Sequence, residues 1–354
     1  MINVKRISHA TFETPDLDRQ IDYFTQTAGL VLAERQNGRA FLATKLGDLA
    51  VQLEKGDHAR CARLAFQVAP DTEFDDIRRG IEAEGVRCQT RNDPTPGIPR
   101  MLAFEDPKGT VCEVFAAQTP IGKNQQVPGI GPIKLGHLAF VVPEPKEYAA
   151  FYTRLLGFRV SDWIQDWFVF MRCGPDHHTV NFVRGKRTQM HHIAFELKDW
   201  AHIQAACDFL GGKNIPIIWG PGRHGPGHNV YTYHRNPDDQ IVEMFTGSQT
   251  LQQRVLIIVL AVTIAPFVEE FIFRFFLYGV LKRYLGRGPG LILNALLFGA
   301  VHVHLPSLGP LFVLGGCFTL AYEWSGSILV PMTMHALFNF LSLSALAFPS
   351  LLPQ

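Results

Sequence analysis

GHLAF (residues 136–140) and HHIAF (191–195) are short apolar, β-prone runs, each carrying a histidine, and His137 and His192 stand 55 residues apart. Two related runs lie upstream, SHATF around His9 and RLAF from Arg63, separated by 54 residues. RLAF and HHIAF each lead to a later strand-like run that contains a glutamate. These are VCEVF with Glu113, 50 residues beyond Arg63, and IVEMF with Glu243, 51 beyond His192. Every run is followed by polar residues and a helix-like stretch, at 16–30, 74–86, 147–158 and 200–212. Four matching intervals imply an internal repeat: two domains of about 125 residues, each built of two similar modules. Each module reads as a strand, a helix and then several strands. Alternation such as VNFVRG and YTYH fits a sheet with one buried face. Two such modules side by side would curve their sheets into an open barrel, so the expected fold is α+β with the first-strand histidines pointing inward.

The boundaries follow from composition. The segment TPIGKNQQVPGIGPIKLG (119–136) is polar and rich in Gly and Pro, as a linker would be. It separates a first domain (1–118) from a second (137–248). Beyond the short joint GSQT (247–250) the chain changes character. Of its 65 charged residues, 57 lie in 1–248 and eight in the 106 residues that follow. Four largely apolar stretches, 255–281, 291–305, 311–324 and 328–341, predict an all-α membrane bundle of about four helices over 252–345. A net charge of +1 removes the usual electrostatic argument for a nucleic-acid binder, and none is expected. Six scattered cysteines without CxxC spacing argue for reduced thiols, and MINVKRISHATFETPD lacks the apolar core of a signal peptide.

His137, His192 and Glu243 come from three strands of the second domain. Two imidazoles and one carboxylate on one side of a divalent ion leave other positions open, as in non-haem Fe(II) enzymes. His191 competes with His192, but the register of GHLAF over HHIAF favours His192. In the first domain the equivalent set is His9, Arg63 and Glu113. A guanidinium cannot ligate, and it would pair with Glu113, so that site is read as retired.

Residues 1–248 resemble the type I extradiol ring-cleavage dioxygenases of the vicinal oxygen chelate superfamily. The resemblance rests on GHLAF, DHHTVNFVRG (176–185), MHHIAFEL (190–197), GRHGPGHNVYTYHRNPDDQIVEMF (222–245) and the retired first domain. It implies four βαβββ modules paired into two open barrels, and iron(II)-dependent meta cleavage of a catechol-type aromatic by dioxygen, with Mn(II) as the alternative ion, in a homo-oligomer. It makes His137, His192 and Glu243 the metal ligands and His178 the acid–base histidine. His177 then serves orientation or lies on the surface. Tyr233 would hydrogen-bond the substrate oxygen, and His224 would line the same pocket. His228 reads as a solvated loop residue. Trp163, Trp167 and Phe168 are candidates for an apolar pocket wall. A glyoxalase-type reaction would call for carboxylates from both modules, and the second domain offers only Glu243.

The tail holds EExxxR (Glu269, Glu270, Arg274), FxxxH (Phe298, His302) and HxxxN (His335, Asn339). Ionisable groups in apolar helices are expensive and mark function. The three motifs resemble the CAAX-protease and bacteriocin-processing family of intramembrane peptidases. That resemblance makes Glu269 the activator of the attacking water, with His302 orienting it. Glu270 and Arg274 become a structural pair, and His335 and Asn339 stabilise the oxyanion. An endopeptidase whose N-terminal half merely binds a small molecule or metal is the competing reading. Lys282, Arg283 and Arg287 after the first tail helix should face the cytoplasm. A single span would then put the iron domain outside, although a cytoplasmic dioxygenase half is expected. Either the first helix is re-entrant or kinked at Pro266, or the upstream helices usual in that family matter and the tail is a truncated graft from an unrelated coding region.

Overall fold

The computed structural model describes residues 2–123, 125–247, 251–303 and 305–347. The chain divides into two compact units, Met1–Leu251 and Gln252–Gln354. The joint at 247–250 lies outside the described residues except for Gly247.

The first unit contains the four modules in order. The first is β1 (Val4–Thr14), α1 (Leu17–Asp22), β2 (Val31–Gln36), β3 (Arg39–Ala43) and β4 (Leu49–Lys55). The second is β5 (Arg60–Val68), α2 (Phe74–Glu82), β6 (Gln89–Thr95), β7 (Ile98–Glu105) and β8 (Val111–Phe115). The third is β9 (Lys134–Val142), α3 (Pro145–Leu156), β10 (Arg159–Ile164), β11 (Phe168–Arg172) and β12 (Val180–Arg184). The fourth is β13 (Gln189–Glu196), α4 (Trp200–Gly212), β14 (Trp219–Arg223), β15 (Val230–Arg235) and β16 (Ile241–Thr246). Two eight-stranded sheets result, ordered β2-β3-β4-β1-β5-β8-β7-β6 and β10-β11-β12-β9-β13-β16-β15-β14. The two modules of each barrel meet antiparallel through their first strands, β1 with β5 and β9 with β13.

The helices form where the sequence supplies caps and apolar spacing. Asp199 caps α4 by accepting from the backbone N–H of His202, and Ile203, Ala206 and Leu210 face the core at helical intervals. In α3, Pro145 sits at the first turn and Gly157 ends the helix in the left-handed conformation that glycine tolerates. The barrels share one core, in which Phe66 meets Tyr152 and Phe158 edge-to-face. Buried between them, the Tyr152 hydroxyl donates to Asp106 at 2.8 Å, and Lys108 pairs with the same carboxylate.

The segment between the barrels is no free tether. Ile121 and Ile130 donate backbone bonds to Gly47 and Thr27 of the first barrel, and β9 already begins at Lys134. A Cβ on Gly129 would meet the Thr27 carbonyl oxygen at 2.4 Å, so the glycines of this stretch allow it to lie flat on its neighbour.

In the second unit, α5 (Leu251–Glu270), a π-helical stretch (Phe271–Leu277) and α6 (Tyr278–Leu285) form one unbroken helix. It passes through Pro266 without reversing, which removes the re-entrant alternative. It is followed by α7 (Arg287–Ala300), α8 (Leu308–Ser325) and α9 (Leu329–Ala347). Val255–Leu285 and Leu305–Ser325 are long and apolar enough to cross a membrane, and both are largely unburied within the unit. Core helices of a soluble bundle would be covered, so these exposed apolar faces indicate membrane association. Glu323 gathers Lys282, Arg287 and the Tyr278 hydroxyl at one end of the bundle.

Candidate metal centre

His137 pairs across the ladder with Ala194 of β13, and Ala194 pairs in turn with Glu243 of β16. His192, two residues before Ala194, presents its side chain on the same face. Three donors thus converge over one methyl group. The Nε2 atoms of His137 and His192 are 3.1 Å apart, and each lies 3.1 Å from Glu243 Oε2. Three ligands held about 2.1 Å from one ion at right angles would stand ~3.0 Å from one another. The triangle therefore fits a facial set. Among the described residues it is the one His/Cys/Asp/Glu group of this kind, and all three members are buried.

The ionisation states suit ligation. Burial pushes the Glu243 carboxyl up, but His137 and the hydrogen bonds from His137, His192 and His224 outweigh it and hold it well below the usual carboxylate range. Burial lowers His137, against the pull of Glu243. A neutral imidazole and an ionised carboxylate are the forms that bind metal.

Around this centre the structure brings the predicted residues together. His178 is buried with its ring 4.1 Å from that of His137, and burial followed by His137 and His177 lowers it well below the ordinary histidine value. His177 is buried rather than on the surface, and its Nδ1 lies 2.8 Å from Nδ1 of His178. The Tyr233 hydroxyl is 3.0 Å from His224 Nε2, and burial raises its pKa, with Glu243 adding to the effect. His224 stacks on Tyr231 and stands 3.6 Å from Glu243 Oε1. His191 stays outside the triangle and bonds the other ring nitrogen of His192 at 2.7 Å, an orienting contact. His228 is exposed, with a φ of 55°.

A cavity of about 330 Å³ opens above the triad. Trp167 and Phe168 line it as the sequence suggested, but Trp163 does not and packs against the core instead. Alternation along β10 turns Ile164 to the cavity and its neighbour away. Several lining residues escaped the sequence reading, three of them in contact with the groups already described. Phe170 follows Phe168 on the same face, Trp219 stacks on Tyr233, and Asn229 donates from Nδ2 to Glu243 Oε1 at 3.1 Å. The first two were accessible from strand alternation. Asn229 sits in the loop GPGHN, where it reads as turn chemistry.

In the first barrel, Arg63 Nε lies 3.2 Å and Arg91 Nη1 2.6 Å from Glu113 Oε1. Burial, then Arg63, lowers His9 to about 3. Guanidinium groups hold the carboxylate that a cation would need.

In the second unit the buried Arg274 lies 3.0 Å from Glu270 Oε2, under the rings of Phe298 and Phe318. Glu270 Oε1 also meets His335 Nδ1 at 2.8 Å, so Glu270 joins two motifs. Asn339 donates to the Ala261 carbonyl, and the exposed His302 turns its Nδ1 to the Phe298 carbonyl. Glu269 Oε2 is buried with no hydrogen-bond partner among the described residues.

Comparison with known proteins agrees with this division. Residues 134–244 match the Glyoxalase/Bleomycin resistance protein/Dioxygenase superfamily, and 251–341 match the type II CAAX prenyl endopeptidase Rce1-like family. The manganese-dependent 2,3-dihydroxybiphenyl 1,2-dioxygenase of Geobacillus genomosp. 3 is 24% identical over 270 residues, spanning 69% of this chain and 85% of the relative. Biphenyl-2,3-diol 1,2-dioxygenase of Paraburkholderia xenovorans (strain LB400) is 25% identical over 73% of this chain and 92% of its own length. Among solved structures, homoprotocatechuate 2,3-dioxygenase from Arthrobacter globiformis has a TM-score of 0.64 at 25% identity, covering 70% of this chain and 81% of that one. The Mn(II)-bound glyoxalase from Novosphingobium aromaticivorans has a TM-score of 0.65 at 25% identity, with 71% and 84% covered.

Proposed function

We infer that this chain, which joins a domain of the Glyoxalase/Bleomycin resistance protein/Dioxygenase superfamily to an Rce1-like domain, is an extradiol catechol dioxygenase carried on a membrane-associated peptidase-like tail. The observation that carries this reading is the 3.1 Å triangle of His137, His192 and Glu243, present in the second barrel and replaced by an Arg–Glu network in the first. The second barrel (137–248) is the working copy and the first (1–118) a vestigial one.

A bound Fe(II), or Mn(II) in its place, would supply open positions for both catechol oxygens and dioxygen and would acidify the substrate hydroxyls. The protein's own groups do the rest. His137, His192 and Glu243 hold the ion. His178 enters neutral, and with Nδ1 engaged by His177 its Nε2 is free to take the substrate proton and return it during ring opening. Tyr233, kept protonated by burial, offers its hydroxyl to the substrate oxygen while His224 fixes its direction. The aromatic walls exclude water. With the helix continuous through Pro266, a cytoplasmic dioxygenase half goes with the graft reading, in which the tail's basic cluster does not set its side of the membrane; its five unpaired cysteines are in keeping with that placement.

The test is anaerobic loading of the full-length, detergent-solubilised protein with Fe(II), followed by catechol and then oxygen. A yellow ring-opened product that disappears in His178→Ala supports the reading. A colourless mixture with every substituted catechol tried contradicts it.

The tail supports a second activity, because Glu269 is an acid with an unpartnered buried oxygen beside the Glu270–His335 pair. Glu269 would activate water that His302 orients, with His335 and Asn339 serving the peptide oxyanion and Glu270–Arg274 holding the helices. Cleavage of a prenylated peptide in liposomes, abolished by Glu269→Gln, is expected; unchanged cleavage in that variant rules it out.

A further inference from the structure

We propose that one end of the second unit binds the headgroups of anionic phospholipids through Arg283 and Arg287, with Tyr284 and Trp324 seated beside them at the bilayer surface. This surface depends on neither enzymatic reading and concerns the second unit alone.

Three observations carry it. The first is where the tail keeps its charge. Beyond Leu251 the chain has eight charged side chains, and four of them lie at one end of the bundle. Lys282 and Arg283 stand in the last turn of α6, Arg287 opens α7, and Glu323 stands in the last turn of α8. Both carboxylate oxygens of Glu323 lie 2.7 Å from Lys282 Nζ, and Oε1 lies 3.1 Å from Arg287 Nε. The Tyr278 hydroxyl donates to Oε2 at 3.2 Å. These contacts hold three helix ends at one level. Three cations against one carboxylate leave that end with a net charge of +2. Among the described residues Arg283 makes no ion pair, and Arg287 uses only Nε in its own. The turn beyond the other end of α7, residues 301–307, holds no Lys, Arg, Asp or Glu, so the two ends of α7 differ in charge.

The second is exposure. Tyr284 and Trp324 adjoin this cluster and are 78% and 91% exposed. They stand near the ends of Val255–Leu285 and Leu305–Ser325, the two stretches long and apolar enough to cross a membrane, which are largely unburied within the unit. Phenol and indole rings at the ends of such helices belong at the boundary of hydrocarbon and water, which accommodates an apolar body and a polar tip together. The two rings and the three cations therefore mark one headgroup level.

The third is the chemistry of the donors. A guanidinium presents paired N–H groups that match two oxygens of a phosphate. Arg283 has its whole fork for this, and Arg287 keeps its two terminal nitrogens. A zwitterionic headgroup brings a cation of its own towards a site that is already positive. An anionic headgroup does not, and the charge of the cluster selects it. Free phosphate would meet the same donors but would leave the indole of Trp324 bare, whereas a lipid covers it with its acyl chains.

The experiment reads the quenching of Trp324, the one tryptophan beyond Leu251, by brominated lipids. Full-length protein is reconstituted in vesicles of phosphatidylcholine and phosphatidylglycerol, with one lipid or the other brominated on its acyl chains. The relative affinity of the two lipids is taken from the part of the quenching that Trp324→Phe abolishes. Phosphatidylglycerol is expected to be favoured about tenfold, and Arg283→Gln and Arg287→Gln should each lower that ratio about threefold. The double variant should bring it close to one, and added salt should lower it in the parent. Arg283→Gln breaks no ion pair, so its effect is read with the Glu323 cluster intact.

Equal affinity for the two lipids in the parent, or a preference that survives the double variant, overturns the proposal. So does a preference abolished by millimolar inorganic phosphate, which assigns the arginines to a soluble anion. Absence of Trp324 quenching by either lipid also overturns it, because this end of the bundle then lies away from the bilayer.

Discussion

Glu243 divides its work between two oxygens: Oε2 completes the triangle, while Oε1 receives the Asn229 amide. Orientation of a ligand by a buried neighbour commonly contributes one to two orders of magnitude to metal affinity. Asn229→Ala is therefore expected to weaken Fe(II) binding by about 10- to 100-fold with the fold intact, measured by competition against a chromogenic chelator. The triad's positions were legible because a repeat fixed them, His9, Arg63 and Glu113 of the first barrel returning at nearly equal intervals as His137, His192 and Glu243. Asn229 was not, since a polar residue in a glycine-rich turn has a sufficient local explanation until its side chain is seen to reach β16. Trp163 misled for the opposite reason. Its chemistry suited a wall, and only the pleat of β10 decides which of two neighbouring side chains faces the cavity.

Within the second barrel, Ala194 sits at the crossing of β9, β13 and β16, with His137 on one side and Glu243 on the other. Ala65 occupies the same crossing in the first barrel, between His9 and Glu113. A branched side chain there would fill the space the ion needs. Ala194→Leu is predicted to remove the bound metal at a cost of about 1–3 kcal/mol from overpacking, checked by metal analysis alongside thermal unfolding. In the tail the two adjacent glutamates should behave differently. Glu270→Ala strands Arg274, which is fully buried, and should destabilise the bundle by about 3–5 kcal/mol. Glu269→Gln should leave unfolding in detergent within ~0.5 kcal/mol of the parent. The strand–helix order of every module and the apolar helices were readable from periodicity. The link from Glu270 to His335 was not, because it joins residues 65 positions apart that no repeat relates.

For the first unit as a whole, shared burial couples stability to pH. His9 and His234 are buried, and burial lowers them to about 3 and about 4, with Arg63 adding to the effect at His9. The Tyr23 hydroxyl meets His234 Nε2 at 2.7 Å, tying the first barrel to the second. An unfolded chain takes up protons near pH 6.5, whereas these folded histidines do not until pH 3–4. Their stabilisation is therefore complete above about pH 6.5 and falls with pH below it, by roughly 1 kcal/mol for each histidine between pH 6 and pH 5. Thermal unfolding should show that slope, and His234→Gln should flatten it by one histidine's share. The division of the chain into a charged half and an apolar half was evident from composition, whereas the docking of the 119–133 segment depends on glycine contacts that sequence does not reveal. The central claim, one divalent ion held in the second barrel, is tested most directly by counting iron in the full-length protein after anaerobic loading and desalting. The prediction is one Fe(II) per chain, retained in Glu269→Gln and lost in Glu243→Ala; iron that persists in Glu243→Ala would contradict it.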